Sequence, residues 1–303
     1  MSSKIAAKQA TDPVTSANSP ASSSIAGGKN GNDLIQQARL MMQGQNSAFT
    51  ADILQIIQTP ETSYRATGTY AQTSDLRSRL EINMNIQGIQ GRLLQVSNGQ
   101  VSWIVRELKN LQQIRPANHE EAPPTEEVQI ERIDLQRLYD FAQTENVSLQ
   151  DPRFAREFAS GIPGLLAAIE AEMDFTLIKR VAIQDIPHYV LQGEWKVPLD
   201  QKKFEDSLSA QIFAGAAPER IRIYLRASDL MLVRYMCLKK RPKGKGWYAP
   251  LAMELSNIVV NGDVSQIAFH WQPEGDQVSE DVTHKYLDRL QKVFQINQNP
   301  QPE

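Results

Sequence analysis

A chain of 303 residues, 41% of them hydrophobic, has the length for a sizeable core. A formal net charge of −3 with 7% aromatics gives no electrostatic case for a nucleic-acid partner. No apolar run approaches the ~18 residues of a membrane-spanning helix. Lys4 and Lys8 are not followed by the apolar stretch of a secretory signal, so the chain is either cytosolic or numbered after removal of a signal.

Residues 1–30 are rich in Ser, Ala, Thr and Gly and read as a disordered leader; the tail 297–303 is likewise loose. One domain is expected between them, over 31–296, with neither repeat nor linker. It opens with a helix capped by Asn32 or Asp33, in which Leu34, Ala38 and Met41 or Met42 share a face. Strands follow: Tyr64, Ala66, Gly68 and Tyr70 alternate with polar residues, as do Leu80, Ile82, Met84 and Ile86, then Leu94 and Val96. Ser97-Asn98-Gly99-Gln100 signals a hairpin into Val101, Trp103 and Val105.

A polar loop spans roughly 115–128, and its glutamates, with only His119 beside them, read as a solvated loop rather than a metal site. From Ile130 to Phe141, and from Phe154 to Met173, apolar residues recur at helical spacing. In the second stretch Phe158, Ile162, Leu165, Leu166, Ile169 and Met173 form a stripe that Pro163-Gly164 is expected to interrupt. Strand patterns resume at Phe175–Val181 and Tyr189–Val197, then a short helix is expected over Leu199–Phe213. A meander follows through Ile221–Leu225, Met231–Tyr235, Leu251–Leu255 and Ile267–Trp271, with turn signals at Gly244-Gly246 and Asn261-Gly262. A last helix runs from Val282 to Phe294. Ten or so antiparallel strands with a few helices make an α+β pattern.

The chain carries no sign of a catalytic constellation. Its four histidines, His119, His188, His270 and His284, are scattered; neither a zinc-protease helix, a nucleophile elbow nor a P-loop is present, and no cofactor is implied. Gly27-Gly28-Lys29-Asn30-Gly31 lacks a preceding strand, and Asn146-Val147-Ser148 is a glycosylation pattern that recurs by chance. Cys237, with no second cysteine to pair with, reads as a small buried hydrophobe. Glu170, Glu172 and Asp174 are read as a wet helix face.

Two features remain. The apolar mid-chain stripe is either plain core or a lid over a groove for a hydrophobic ligand. Lys239, Lys240, Arg241, Lys243 and Lys245, followed by Trp247, form a basic hairpin tip: either a solvated loop or a membrane-facing one suited to anionic headgroups.

Leu94-Gln95-Val96-Ser97-Asn98-Gly99-Gln100-Val101-Ser102-Trp103 resembles a hairpin of the LolA family of periplasmic lipoprotein carriers. Phe269-His270-Trp271-Gln272-Pro273-Glu274-Gly275-Asp276-Gln277-Val278 resembles that family's closing motif, and Asn257–Asn261 falls where the family turns before it. The resemblance covers roughly 33–290. It implies a strongly curved antiparallel sheet forming an incomplete β-barrel, with helices as a lid on the concave face. It also implies a non-catalytic, cofactor-free monomer of the periplasm or cell envelope, carrying lipid or lipoprotein acyl chains, with an envelope membrane protein as a further partner. The alternative on the same scaffold is a protein-interaction or stress-sensing module with a self-filled core. A family arginine latches the lid, and Arg77 or Arg79 matches its place. On this reading Leu80, Ile82, Met84 and Ile86, or the opposite face of their strand, line the groove with Trp103 and Phe269. Leu165, Leu166, Ile169 and Met173 come from the lid. A one-residue slip exchanges the two faces of every strand, so the sequence leaves the inward face open.

Overall fold

The computed structural model describes residues 30–44, 48–59, 62–73, 75, 77–86, 89–110, 126–197, 218–241 and 246–295. The expected leader up to residue 29, the loop 115–125 with His119, the helix over 199–213 and the tail 297–303 lie outside the described residues.

Helix α1 (Gly31–Gln43) is capped by Asn30, whose side chain accepts a hydrogen bond from the Asn32 N–H. Asn32, one of the two expected caps, instead ties the helix to the chain at Phe175: its Oδ1 accepts from the Phe175 N–H at 2.6 Å. Leu34, Ile35, Ala38 and Met42 are buried, whereas Met41 is 50% exposed, which decides between the two methionines. Strand β1 (Phe49–Gln58) was not among the expected elements. Phe49, Ala51 and Ile53 alternate in it, but Ile56 and Ile57 are adjacent and break the pattern.

Four long strands follow: β2 (Ser63–Gln72), β3 (Arg77–Ile86), β4 (Ile89–Asn98) and β5 (Val101–Asn110). The β4–β5 turn is the one read from Asn-Gly: Gly99 has φ +88°, and Asn98 Oδ1 accepts from the N–H groups of Gln100 and Val101. The stretch expected to be helical from Ile130 begins instead as strand β6 (Glu126–Asp134), paired along β5. Ile130 packs on one side of the sheet and Ile133 on the other, and only α2 (Leu135–Thr144), capped by Asp134, is helical. The break in the next helical stretch falls at Ala159-Ser160, between α3 (Pro152–Phe158) and α4 (Gly161–Glu172). Pro163 lies in the first turn of α4, where a missing N–H leaves no helical bond unmade.

Strands β7 (Met173–Ile183), β8 (Ile186–Trp195), β9 (Arg220–Arg226), β10 (Leu232–Lys240) and β11 (Trp247–Val260) agree with the sequence pattern. Ile267–Trp271 does not form a strand; residues 261–279 run irregularly to a two-residue β12 (Glu280–Asp281) and α5 (Thr283–Gln295).

Among the described residues, the strands form one sheet in the order β12-β6-β5-β4-β3-β2-β1-β11-β10-β9-β8-β7, antiparallel except for the β12–β6 pair. β7 and β12 are its two edges, so the sheet is open: an incomplete barrel of α+β class. The β7 edge is protected where Asn32 bonds Phe175, and further along by a bulge at Leu177/Lys179 beside Arg180.

The two faces of the sheet differ. One carries the helices. There α1 and α4 cover a cluster including Leu34, Met42, Phe49, Ile53, Tyr70, Leu166, Leu191, Ile223, Tyr235 and Leu255. On the same face α2, α3 and α5 cover Ile104 and Ile133 with Leu138, Phe154, Tyr286 and Leu290. The opposite face holds a smaller cluster, Leu94, Val96, Val105 and Ile130, covered by Trp103 and by Trp271 of the irregular segment.

Candidate functional site

Strand register places the helix-face side chains in rows across the sheet. Tyr70 stands beside Leu80, then Gln95 and Ile104, in a row close to the helices. The next row outward is Leu255, Ile53, Gly68, Ile82, Leu93 and Arg106. Beyond it come Met253, Gln55, Ala66, Met84, Gly91 and Leu108 on the same six strands. At ~4.8 Å per strand these rows span about 24 Å.

The helices cover only part of these rows. Ile82, Met84 and Ile86 are half-buried and belong to neither helix-covered cluster; Ile89 and Leu108 are 42% and 47% exposed. Small residues keep the floor bare. A Cβ on Gly68 would fall 1.9 Å from the Glu81 carbonyl oxygen, so β2 and β3 approach each other there as only glycine allows. With Ala66 and Gly91 beside it, the surface at the hairpin ends of β1–β5 is a shallow, mostly apolar trough continuous with the covered core, with Gln55 and the Arg106–Glu131 pair among its side chains.

The helices are fastened at the other end of the rows. Arg39 of α1, fully buried, donates from Nε and Nη2 to the Glu170 carboxylate of α4 at 2.5 and 3.2 Å; its Nη2 also reaches the Gln150 carbonyl and its Nη1 reaches Gln43. Glu170 therefore does not join the wet face expected of it, while Glu172 and Asp174 are exposed. The Tyr70 hydroxyl donates to Gln72, which in turn donates to the Met42 carbonyl, and Ser78 and Ser160 are hydrogen-bonded. Burial drives the Tyr70 hydroxyl far above the usual phenol range. Tyr70 packs so close to Gly161 (φ +66°) that a Cβ there would lie 2.4 Å from its ring. The void among these groups amounts to 20 Å³, and among the described residues the side chains that α1 and α4 lay on the sheet are buried against one another.

The structure thus gathers Leu80, Ile82, Met84 and Ile86 on the helix face, with Leu165, Leu166, Ile169 and Met173 at the covered end. Trp103 and Phe269, expected in the same groove, are on the opposite face. Trp103 meets Trp271 edge-on, with centroids 5.4 Å apart, and Phe269 lies under the Arg77 guanidinium at 5.5 Å. The alternation of β5 decides this: Ile104 points to the helices, so Trp103 points away. Among the described residues neither candidate latch arginine makes an ion pair with a helix, although Arg77 lines the same small void as Phe158 and Pro163. Arg77 pairs with Asp75, and Arg79 pairs with Glu81 and donates to the Ala268 carbonyl, so both hold the irregular segment on the outer face. Sequence reasoning missed Arg39, whose one signal is an arginine next to the apolar stripe of an amphipathic helix.

Cys237 is buried against the Tyr235 hydroxyl, and burial pushes its thiol up to about 12. A polar depression of 550 Å³ lies on the outer face, lined by Arg65, Asn83, Asn85, Arg92, Glu107 and Lys109. Arg92 there bridges Glu81 and Glu107. Partial burial raises the Glu81 carboxyl, but hydrogen bonds and charges from Arg79 and Arg92 outweigh it and hold it below the usual range. Of the basic tip, Lys243 and Lys245 lie outside the described residues. Trp247 is flanked by Arg220 at 4.7 Å and Lys240 at 5.8 Å. No described helix is long and apolar enough to cross a membrane.

No protein-family model matches the chain, and no curated protein matches it. Among solved structures it is similar to a LolA superfamily protein from Nitrosomonas europaea, with 9% identity over 79% of this chain and 97% of that one and a TM-score of 0.28. It is similar to LprF of Mycobacterium bovis, with 14% identity over 78% and 97% and a TM-score of 0.34. It is also similar to the MucA/MucB complex structure from Pseudomonas aeruginosa, with 10% identity over 78% of this chain and 60% of that one and a TM-score of 0.37. The open antiparallel sheet with helices on one face agrees with the α+β incomplete barrel expected from the sequence.

Proposed function

We propose that this protein binds a lipid or a lipid-linked acyl chain, without catalysis, in the helix-face trough, as a carrier or chaperone of the cell envelope. The observation that carries the reading is that apolar side chains continue from the covered core onto the half-covered part of the same face around Ile82, Met84, Ile86, Leu93 and Leu108, with Gln55 and Arg106 among them. An acyl chain lying there gains roughly 0.8 kcal/mol per CH₂ removed from water, before the costs of binding. Deeper entry requires α1 and α4 to move, because the side chains beneath them are buried against the sheet. The helices then act as a lid, closed when the trough is empty and displaced as acyl chains reach Leu165, Leu166, Ile169 and Met173.

The test is native mass spectrometry of protein from its own source, before and after organic extraction, together with titration by a fluorescent acyl probe. A co-purifying acyl species that leaves on extraction supports the reading. So does at least tenfold weaker probe binding by Ile82→Asp/Leu93→Asp, since two charges placed in the trough oppose an apolar ligand. A clean apo mass with no probe uptake refutes it. The burial of the side chains beneath the helices favours a second reading, in which the trough receives an apolar segment of an envelope protein; a peptide partner captured without lipid would select it.

A further inference from the structure

At the same end of the sheet as the trough, β9 begins and β10 ends in a cluster of cations. Leu238 pairs with Arg220, and Lys240 with Trp247. Arg220 and Lys240 flank the indole of Trp247, and Lys239 and Arg241 stand next to them. Arg220 is paired with Glu194 at 2.9 Å, and Glu219 accepts the Lys240 backbone N–H. Lys239, Lys240 and Arg241 make no ion pair among the described residues, and Lys240 and Arg241 are exposed. The chain as a whole carries −3, so its net charge repels an anionic surface and only a local patch can reverse that.

We infer that this rim, Arg220, Lys239, Lys240, Arg241 and Trp247, docks on the surface of an anionic lipid bilayer. Cations suit the phosphates, and a tryptophan suits the interface, where its ring and its N–H find different surroundings. The cluster lies at the sheet end where the trough opens, so docking brings the trough mouth to the lipid. The purpose of the docking therefore rests on the acyl-binding reading, while the docking itself is tested independently of it.

The experiment is co-sedimentation of the full chain with vesicles of phosphatidylcholine alone or with one third phosphatidylglycerol. Each basic residue near the surface contributes about a fivefold gain in partitioning at low salt. Lys239→Gln/Lys240→Gln/Arg241→Gln should therefore lower binding to the mixed vesicles about a hundredfold, and added salt should weaken the wild type. A control variant, Arg137→Gln/Lys179→Gln/Lys292→Gln, removes the same net charge from exposed cations elsewhere and should bind as the wild type does. Circular dichroism confirms that both variants fold. Equal binding to neutral vesicles, or a rim variant that binds like the control, overturns the inference. The trough variant Ile82→Asp/Leu93→Asp separates the two readings. If it loses probe uptake yet sediments normally, both stand; if the wild type takes up probe but ignores anionic vesicles, the docking alone fails.

Discussion

Replacing Arg39 by Met tests whether α1 and α4 are fastened as a unit. The side chain is fully buried and reaches Glu170, Gln43 and the Gln150 carbonyl, so its loss leaves a carboxylate that is only 13% exposed without its cation. Breaking one partner out of a buried pair costs about 3–5 kcal/mol, mostly through the stranded charge rather than the lost attraction. At about 2–4 °C per kcal/mol for a chain of this order, the melting temperature should fall by roughly 10 °C. The double variant Arg39→Met/Glu170→Leu strands nothing and should recover most of that loss, because a well-packed apolar pair replaces a buried ion pair at little cost. Thermal unfolding followed by circular dichroism measures both. Amide exchange across 31–43 should quicken in the single variant only, and acyl-probe uptake should quicken with it. A double variant as unstable as the single one would refute the stranded-charge argument; an Arg39→Met protein that melts like the wild type would refute the latch itself.

Stability should fall at both ends of the pH scale. On the acid side, partial burial raises the carboxyls of Asp75, Glu81 and Asp151, but their arginine partners and hydrogen bonds outweigh it, so all three are depressed in the fold. Their contribution is present above the unfolded values of about 4 and is lost as pH drops through the lower folded values. On the alkaline side, burial lifts Cys237 and Tyr286 to about 12, so their contribution is complete below the unfolded values and lost as pH rises toward the folded ones. Melting temperatures from pH 2 to 12 should show a plateau with both shoulders; a flat acid limb would count against the ion pairs. The Cys237 thiol should resist a thiol reagent in the folded protein at pH 8 and react at once in denaturant, and equal rates would contradict its burial. Phe269→Ala removes a ring that is 6% exposed and should cost about 3–5 kcal/mol, loosening Trp271 from Trp103 with a red-shifted tryptophan emission. Because Phe269 lies on the outer face, acyl-probe affinity of the folded variant should not change; a parallel loss of affinity would return Phe269 to the groove.

Local pattern was enough for the class of the fold. Period-two alternation in Leu80–Ile86, the Asn98-Gly99 turn and the stripe from Phe154 to Met173 mark antiparallel hairpins and packed helices, because side-chain periodicity follows directly from backbone geometry. Where several patterns share a stretch, neighbours decide. The Ile130–Asp134 segment has helical spacing but is a strand because β5 offers it a ladder of hydrogen bonds, and Ile267–Trp271 has strand spacing but finds no ladder among the described residues. The site depended most on tertiary structure. The face of β3 and β5 that meets the helices is fixed by register across six strands, and register sent Trp103 away from the trough that holds Ile82 and Met84. The pair that fastens the helices joins residues 131 positions apart, a distance over which no sequence period carries information. Sequence thus determined the class of the fold and most of its elements, through short-range sterics and periodicity. Only the assembled sheet decided which of their faces meet, because that choice is made by pairing between distant strands.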